Sequence, residues 1–275
     1  MSNKFNFKWT GDDYYARDYN WDRRIAETCI ITIPNHARSQ GSGLVCMRSC
    51  LTVGQANPSI YLGYDGTNME EIRTPEHLKS PNNPVNWVKV VDSSLSITEV
   101  ACALSHISLW VRCIEINRPM VILEHDALML KPFNRMNYTN SIEYLGDMSE
   151  FETICKRYEV STYEELVDYF KRMPVASELR LPSVSVINHN FHYSRGLHAY
   201  AIDPFIARRL FSRVLTDGLI NPIDVVLEVT EFSLVQTGMY AIQGPSSQAA
   251  SSIGFFNEKN EYTRKNTYNV PGISQ

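Results

Sequence analysis

The clearest pattern of apolar positions in the chain repeats at helical spacing between Ser96 and about Asn117. Its apolar stripe consists of Ile97, Val100, Ala101, Leu104, Ile107, Val111 and Ile114. A continuous stripe of this kind predicts a helix that packs against a sheet. Ser96 and Glu99 have the spacing of a capping box, so we expect the helix to begin at Ser96.

Short apolar and β-branched runs elsewhere in the chain predict strands. They lie at 28–34, 59–62, 87–91, 120–123, 182–187, 198–202 and 239–242. Further helices are predicted at 37–54, 161–173, 204–215 and 223–234. Because strands alternate with helices, the sequence favours an α/β fold with a Rossmann-like, mostly parallel sheet flanked by helices. Ligands of such sheets bind where the carboxyl ends of the strands open into loops.

The pattern predicts one main domain. Residues 1–26 form an aromatic N-terminal extension, and residues 27–275 form the domain itself. An acidic, helical insertion is expected near 137–180. No Pro- or Gly-rich stretch marks a boundary between two domains.

Composition narrows the class of protein. Hydrophobic residues make up 44% of the 275, which excludes a disordered or collagen-like chain. The net charge of −4 argues against a global positive field that would attract nucleic acid or an anionic membrane. The six cysteines contain no C-x-x-C pair, as expected of buried free thiols in a reducing compartment. The polar start has no signal-peptide pattern and no unbroken apolar stretch approaches about 18 residues, so we expect a cytoplasmic protein without a membrane span.

Three residues that can carry chemistry, Glu124, His125 and Asp126, follow the predicted strand 120–123. Side chains two positions apart at the end of a strand leave it in roughly the same direction. The two carboxylates are therefore candidates to hold one hard divalent cation, Mn²⁺ or Mg²⁺, although acidic pairs are also common in turns.

A zinc site on the predicted helix 96–117 was the other metal hypothesis. Cys102, His106, Cys113 and Glu99 lie on its polar side. Cys113, however, is about 10 Å along the helix axis from His106, too far to share an ion. Cys102 and His106 alone are an incomplete site, which argues against zinc.

Two segments around this region resemble a known family. SITEVACALSHISLW, followed after ten residues by VILEHDALML, is similar to the central signature of glycosyltransferase family 25, which includes lipopolysaccharide-type and collagen galactosyltransferases. Further similar pieces follow the family's order: CIITIP, the Tyr-Asp-Gly turn at 64–66, HAYAIDPFIARRL and NPIDVV. The resemblance covers roughly residues 28–255.

The resemblance implies a GT-A fold and transfer of a sugar, with inversion, from a nucleotide-sugar donor, expected to be a UDP-sugar. The acceptor would be a hydroxyl of a saccharide or a lipopolysaccharide. It places Glu124 and Asp126 at the metal, with Asp126 the direct ligand, and His198 is our candidate to complete the metal's coordination. Asp224 is the candidate general base. The residues expected around the donor are Pro34, Asn35, Arg38, Asp65, Gly66, Glu99, Ser105, His106, Glu124 and His125.

The chain departs from the family at His125, where the family commonly has an aspartate. An imidazole there lowers the negative charge at the site and can contact a diphosphate. Three of these residues also have a purely structural explanation. Glu99 fits a capping box, Asp224 fits a helix cap, and His106 fits a packed, hydrogen-bonded histidine.

Two alternative functions stay open. One is sugar transfer to hydroxymethylated bases in DNA, which the net negative charge disfavours. The other is a non-catalytic module that binds nucleotide sugars, which the histidine at position 125 favours. The sequence leaves open the donor sugar, the nucleotide, the acceptor and the oligomeric state.

Overall fold

The computed structural model describes residues 22–68, 70–92, 94–172, 197–228 and 233–244. In these ranges the strands are β1 (Glu27–Thr32), β2 (Pro58–Leu62), β3 (Met120–Glu124), β4 (Ala127–Met129), β5 (Ser141–Glu150), β6 (Ala199–Ile202) and β7 (Ser233–Gln243). The α-helices are α1 (Ala37–Val53), α2 (Ile97–Ile116), α3 (Phe151–Tyr158), α4 (Tyr163–Arg172), α5 (Pro204–Asp217) and α6 (Ile223–Glu228). Two short 3-10 helices span Glu76–Leu78 and Pro84–Trp87.

The seven strands form one sheet in the order β2-β1-β3-β6-β5-β7-β4. β1 pairs in parallel with β2 and β3, and β5 pairs in parallel with β7. The pairings of β6 with β3 and β5, and of β4 with β7, are antiparallel. The sheet is thus mixed, and with its flanking helices it confirms the α/β class and is compatible with a GT-A fold. Because β1, β2 and β3 are parallel, their carboxyl ends share one edge of the sheet.

The alternation along β3 assigns each of its side chains to one face of the sheet. Met120 and Ile122 join the apolar cluster that contains α2 and α5. Val121 and Leu123 join the cluster that contains the buried side of α1. By the same period of two, Glu124 belongs to the α2 face. A third cluster packs α3 and α4 against β4 and β7.

Helix α2 begins as its sequence predicts. The Ser96 hydroxyl accepts a hydrogen bond from the Glu99 amide (3.2 Å), and the Glu99 carboxylate accepts one from the Ser96 amide (2.9 Å). The helix stops at Asn117, whose φ of 52° is left-handed. Among the described residues, α2 is the one helix with the length and hydropathy of a membrane span, but 61% of that stretch is buried inside the fold. Burial of this extent is typical of a core helix.

Several predicted elements differ from the structure. The predicted strand 87–91 is absent, because Pro84–Trp87 forms a 3-10 helix and Val90 makes only an isolated bridge to Leu219. The predicted helix 223–234 is confirmed over Ile223–Glu228, residues 229–232 lie outside the described residues, and Ser233 already lies in β7. Within the expected helical insertion 137–180, the long strand β5 precedes α3 and α4. The predicted strand 182–187 and residues 1–21 of the extension lie outside the described residues.

The turn after β2 touches α2 so closely that it requires glycine at position 66. A Cβ added to Gly66 would lie 2.7 Å from the Ile97 carbonyl oxygen and 2.9 Å from the Thr98 Cα. These are backbone atoms of the first turn of α2 and cannot move aside without displacing the helix. Thr98 also donates a hydrogen bond from its hydroxyl to the Gly66 carbonyl (3.3 Å).

We therefore expect Gly66→Ala to lower the free energy of unfolding by about 1–3 kcal/mol, the usual cost of overpacking. The matched control is Gly41→Ala in α1, where an added Cβ meets nothing within 4 Å. That change should be neutral or stabilise by up to about 1 kcal/mol, because alanine is the better helix former. Urea unfolding of both variants tests this, and equal effects at the two positions would contradict it.

Candidate functional site

The turn after β2 is braced by Asp65 and Ser105. Asp65 is buried, and its Oδ1 accepts a hydrogen bond from the Thr67 amide (2.9 Å). The Ser105 hydroxyl accepts from the Tyr64 amide (2.8 Å) and donates to the Ala101 carbonyl (2.7 Å). Ser105 is only 1% exposed, so its hydroxyl anchors the turn to α2. This burial argues against the expectation that Ser105 contacts the donor directly.

Pro34, Asn35 and Arg38 follow β1 at the same edge of the sheet as Glu124. The register of the parallel pair places Ile31 of β1 opposite Glu124 of β3. Asn35 has a left-handed φ of 59° and is exposed, as is Arg38. Nδ1 of His36 accepts a hydrogen bond from the Ser39 amide (3.1 Å) and caps α1. The start of α1 therefore faces the loop edge where a ligand of the sheet would bind.

A chain of buried polar side chains leads from α2 to Glu124. The indole N–H of Trp110 donates to the hydroxyl of Tyr200 (3.0 Å), and the same oxygen lies 2.9 Å from Nδ1 of His106. Nε2 of His106 lies 3.4 Å from Oε1 of Glu124. Trp110, His106 and Tyr200 are each completely buried.

The donors of this chain can be assigned from its chemistry. An indole can only donate, so the oxygen of Tyr200 accepts that bond and its own proton is available for Nδ1 of His106. His106 then carries its proton on Nε2 and donates it to Glu124. In this assignment every buried polar atom of the chain has a partner of the right kind.

The half-buried carboxylate of Glu124 lies close to three histidines. Burial raises the pKa of Glu124, but the hydrogen bond from His106 and the proximity of His106, His125 and His198 outweigh it, so the net direction is downward. Glu124 also accepts a hydrogen bond from the thiol of Cys102 (3.7 Å between Sγ and Oε1). Its side chain is 28% exposed and so can be reached from the loop edge.

Asp126 has different partners from Glu124. Oδ2 of Asp126 accepts a hydrogen bond from Gln243 of β7 (3.2 Å), whereas Oδ1 is buried without a hydrogen-bond partner among the described residues. Burial and the nearby Glu124 raise the pKa of Asp126. Burial raises the pKa of the Cys46 thiol on α1, and Cys50 and the carboxylate of Asp126 add to that rise. The sequence predicts that the carboxylates of Glu124 and Asp126 leave the strand in the same direction. In the structure the turn at 125–126 gives them different neighbours.

His198 lies beside both carboxylates. Its carbonyl accepts a hydrogen bond from the Glu124 amide (2.9 Å), because β6 runs antiparallel to β3. Its imidazole lies against Gly146, where an added Cβ would be 1.9 Å from Nε2. Together with half-buried His125, it lowers the pKa of Glu124 and opposes the rise at Asp126. The structure thus brings this distant histidine to the acidic motif.

Asp224 also reaches this region. It lies in the first turn of α6, which packs against α2. Burial raises the pKa of the Cys102 thiol, and Glu124, Asp224 and Glu99 raise it further, in that order of electrostatic effect. Asp224 therefore acts on Cys102 through its charge, whereas Glu124 also contacts the thiol. Glu99 is half-buried and its carboxylate belongs to the capping box, which accounts for its position.

The comparison with protein families agrees with this arrangement. The model of glycosyltransferase family 25, described as a lipopolysaccharide biosynthesis protein family, matches residues 62–227. The chain belongs to glycosyltransferase family 25. This assignment makes it a glycosyltransferase in the general sense, acting with a nucleotide-sugar donor and an acceptor. No curated protein matches the chain.

For this family 25 member, two features fit a divalent cation. The ligand atoms of Cys102, His106 and Glu124 all lie within 4.8 Å of one another. Beside them, the unpartnered Oδ1 of Asp126 is an acceptor that a cation would satisfy. The sequence analysis did not assign roles to Tyr200, Trp110 or Gln243. The first two stand inside the motifs that carry the family resemblance, but nothing in their spacing shows that they meet.

The hydrogen-bond chain predicts the tautomer of His106. In the metal-free protein, ¹⁵N NMR should find His106 neutral with its proton on Nε2. Tyr200→Phe should lower the free energy of unfolding by about 1–3 kcal/mol, because Trp110 loses its acceptor and Nδ1 loses its donor.

The control for this experiment is Tyr61→Phe. Tyr61 donates to Ser108 on another part of α2 (2.7 Å) and does not touch His106. We expect a smaller loss of stability, about 1 kcal/mol, and unchanged signals of His106. A proton on Nδ1 in the unmodified protein would contradict the assigned direction of the chain.

Proposed function

We propose that this family 25 glycosyltransferase transfers a sugar from a UDP-sugar, with inversion, to a hydroxyl group of a saccharide or lipopolysaccharide acceptor. The observation that carries the proposal is that Asp224 and Glu124, although far apart in the sequence, both act electrostatically on the Cys102 thiol, since α6 packs against α2. Asp224 belongs to the proposed acceptor side, and Glu124 belongs to the acidic motif on the proposed donor side. A transferase needs both in one place.

The donor would lie along the carboxyl edge of β1, β2 and β3. Pro34, Asn35 and Arg38 line the entrance beside α1, where the guanidinium can pair with a diphosphate. Asp65 and Gly66, held against the start of α2, are the proposed neighbours of the ribose. His125, between the two carboxylates, is a further candidate to contact the diphosphate.

In the proposed reaction, Asp224 accepts the proton of the acceptor hydroxyl as that oxygen attacks the anomeric carbon. The bond between the anomeric carbon and the diphosphate oxygen breaks on the opposite face, so the configuration inverts. The nucleoside diphosphate leaves with the bonding electron pair. Arg38 and His125 would stabilise the negative charge that develops on it.

Mn²⁺ or Mg²⁺ is the proposed cofactor of this reaction, held by Asp126, Glu124 and His198. The unpartnered buried oxygen of Asp126 and the proximity of His198 to both carboxylates support this ligand set. When bound, such a cation supplies positive charge against the leaving diphosphate.

Asp224→Asn should reduce transfer by at least about 100-fold, because the amide cannot accept the proton. The matched control is Asp217→Asn at the end of α5, a partly exposed residue paired with Arg213 (3.5 Å), which should leave transfer unchanged. The measurement is release of nucleoside diphosphate from a panel of nucleotide sugars, with and without saccharide acceptors. Near-normal turnover of the Asp224 variant would remove this residue from the mechanism.

Treatment with a chelator should abolish transfer, and Mn²⁺ or Mg²⁺ should restore it. Asp126→Asn should prevent restoration while leaving the circular dichroism spectrum unchanged. Calorimetry with UDP-sugars, with and without Mn²⁺, separates this proposal from a non-catalytic binding module, which the histidine at 125 favours. Binding without turnover for any donor or acceptor, hydroxymethylated DNA included, would support the module and overturn the transferase mechanism.

A further inference from the structure

We propose that Cys102, His106 and Glu124 form a second kind of metal site in this protein, one for a thiophilic divalent cation such as Zn²⁺. It has three protein ligands and a fourth position open toward the loop edge. This inference goes beyond the proposed function, in which Mn²⁺ or Mg²⁺ is held by Asp126, Glu124 and His198; the two sites share Glu124. It does not require that the chain transfer a sugar.

Two of the three distances between the ligand atoms match a tetrahedral zinc site. Zinc binds sulfur at about 2.3 Å and imidazole nitrogen or carboxylate oxygen at about 2.0–2.2 Å. Tetrahedral angles then place nitrogen and oxygen about 3.4 Å apart, and sulfur and oxygen about 3.6 Å apart. The structure has 3.4 Å between Nε2 of His106 and Oε1 of Glu124, and 3.7 Å between Sγ of Cys102 and the same oxygen. The third pair is within 4.8 Å.

The fold holds these ligands on rigid elements. Cys102 and His106 are four residues apart on α2, so they lie on one face of the helix. The third ligand, Glu124, comes from the end of β3, which packs under that face. The helix alone offers no third ligand, because Cys113 lies further along it and donates its thiol to the Arg118 carbonyl (3.3 Å).

The hydrogen bonds of the metal-free protein can be replaced by a cation. Now the thiol of Cys102 and Nε2–H of His106 both donate toward Oε1 of Glu124. When the cation binds, the thiol proton passes to solvent and the imidazole proton moves to Nδ1. Tyr200 then accepts from Nδ1 while its hydroxyl proton turns away, which gives the imidazole the outer hydrogen bond that metal-bound histidines usually have.

The charge around the thiol also favours a cation. The Cys102 sulfur lies 3.7 Å from the Glu124 carboxylate, so a cation there would be held by negative charge. A nearby divalent cation stabilises a thiolate. A thiolate ligand selects Zn²⁺ or Co²⁺ over the hard cations Mg²⁺ and Mn²⁺. The partial exposure of Glu124 provides the route of entry.

Cobalt titration of the full-length protein, stripped of metal, tests the site without any assay of transfer. We expect one equivalent of Co²⁺ to produce a thiolate-to-cobalt charge-transfer band, which Zn²⁺ abolishes and Mg²⁺ does not. Cys102→Ser should remove the band and weaken binding at least about tenfold. The matched control, Cys113→Ser on the same helix, should keep both. Tyr200→Phe should weaken binding about 10–100-fold, as expected for loss of an outer hydrogen bond.

A labelling experiment on the unmodified protein keeps the test valid if a variant does not fold. Zn²⁺, but not Mg²⁺, should protect Cys102 from alkylation, located by mass spectrometry. Cobalt bound without a thiolate band, or equal labelling of Cys102 with and without Zn²⁺, would overturn the site. Neither result bears on the transfer assay, so failure of this site is distinguishable from failure of the proposed function.

Discussion

Helix α2 lies across β3 because its apolar stripe and the Met120–Ile122 face of the strand must be buried together. That packing fixes where the polar side of the helix can go. Cys102 and His106 meet Glu124 at the end of the strand, and the turn at Gly66 closes against the first turn of the helix. Both the carboxyl edge of β1, β2 and β3 and the acidic motif depend on this one contact between helix and sheet. The hydrogen-bonded side chains of Trp110 and Tyr200 are buried in the same core.

The sequence predicts those parts of the fold that depend only on residues close together in the chain. The stripe and capping box of α2 gave its bounds to within a residue, and the alternation of strands and helices gave the α/β class. The elements that failed depend on partners distant in the sequence. The run 87–91 has strand-like residues, but it finds only a single bridge to Leu219. β5 is rich in acidic residues that do not favour strands, yet it pairs with both β6 and β7.

The candidate site shows the same division. The family resemblance singled out Glu124, Asp126 and Asp224. The structure places the first two at the end of β3 and in the turn after it, and the third in the first turn of α6, which packs against α2. Spacing alone could not show that the turn gives Asp126 a partner on β7, or that Ser105 is an anchor beneath the Tyr64–Gly66 turn. Spacing also could not show that Glu124 joins Cys102 and His106, because Glu124 lies on β3 and the other two lie on α2.

The pKa values of Glu124 and Asp126 are shifted in opposite directions. Histidines keep the charge on Glu124, whereas burial and Glu124 itself oppose the charge on Asp126. Carboxyl groups whose environments separate their pKa values in this way are typical of sites that bind or move charge. With the carboxylate of Glu124 at the end of β3 and an unpartnered buried oxygen of Asp126 in the next turn, the site is suited to a cation.

The central claim is that a nucleotide sugar binds at the carboxyl edge of β1, β2 and β3, beside Glu124. A crystal structure with uridine diphosphate and Mn²⁺, using the anomalous signal of manganese, tests it most directly. We expect the diphosphate between the start of α1 and the 124–126 motif, with manganese beside Asp126. A nucleotide bound elsewhere, or manganese remote from that carboxylate, would contradict the account.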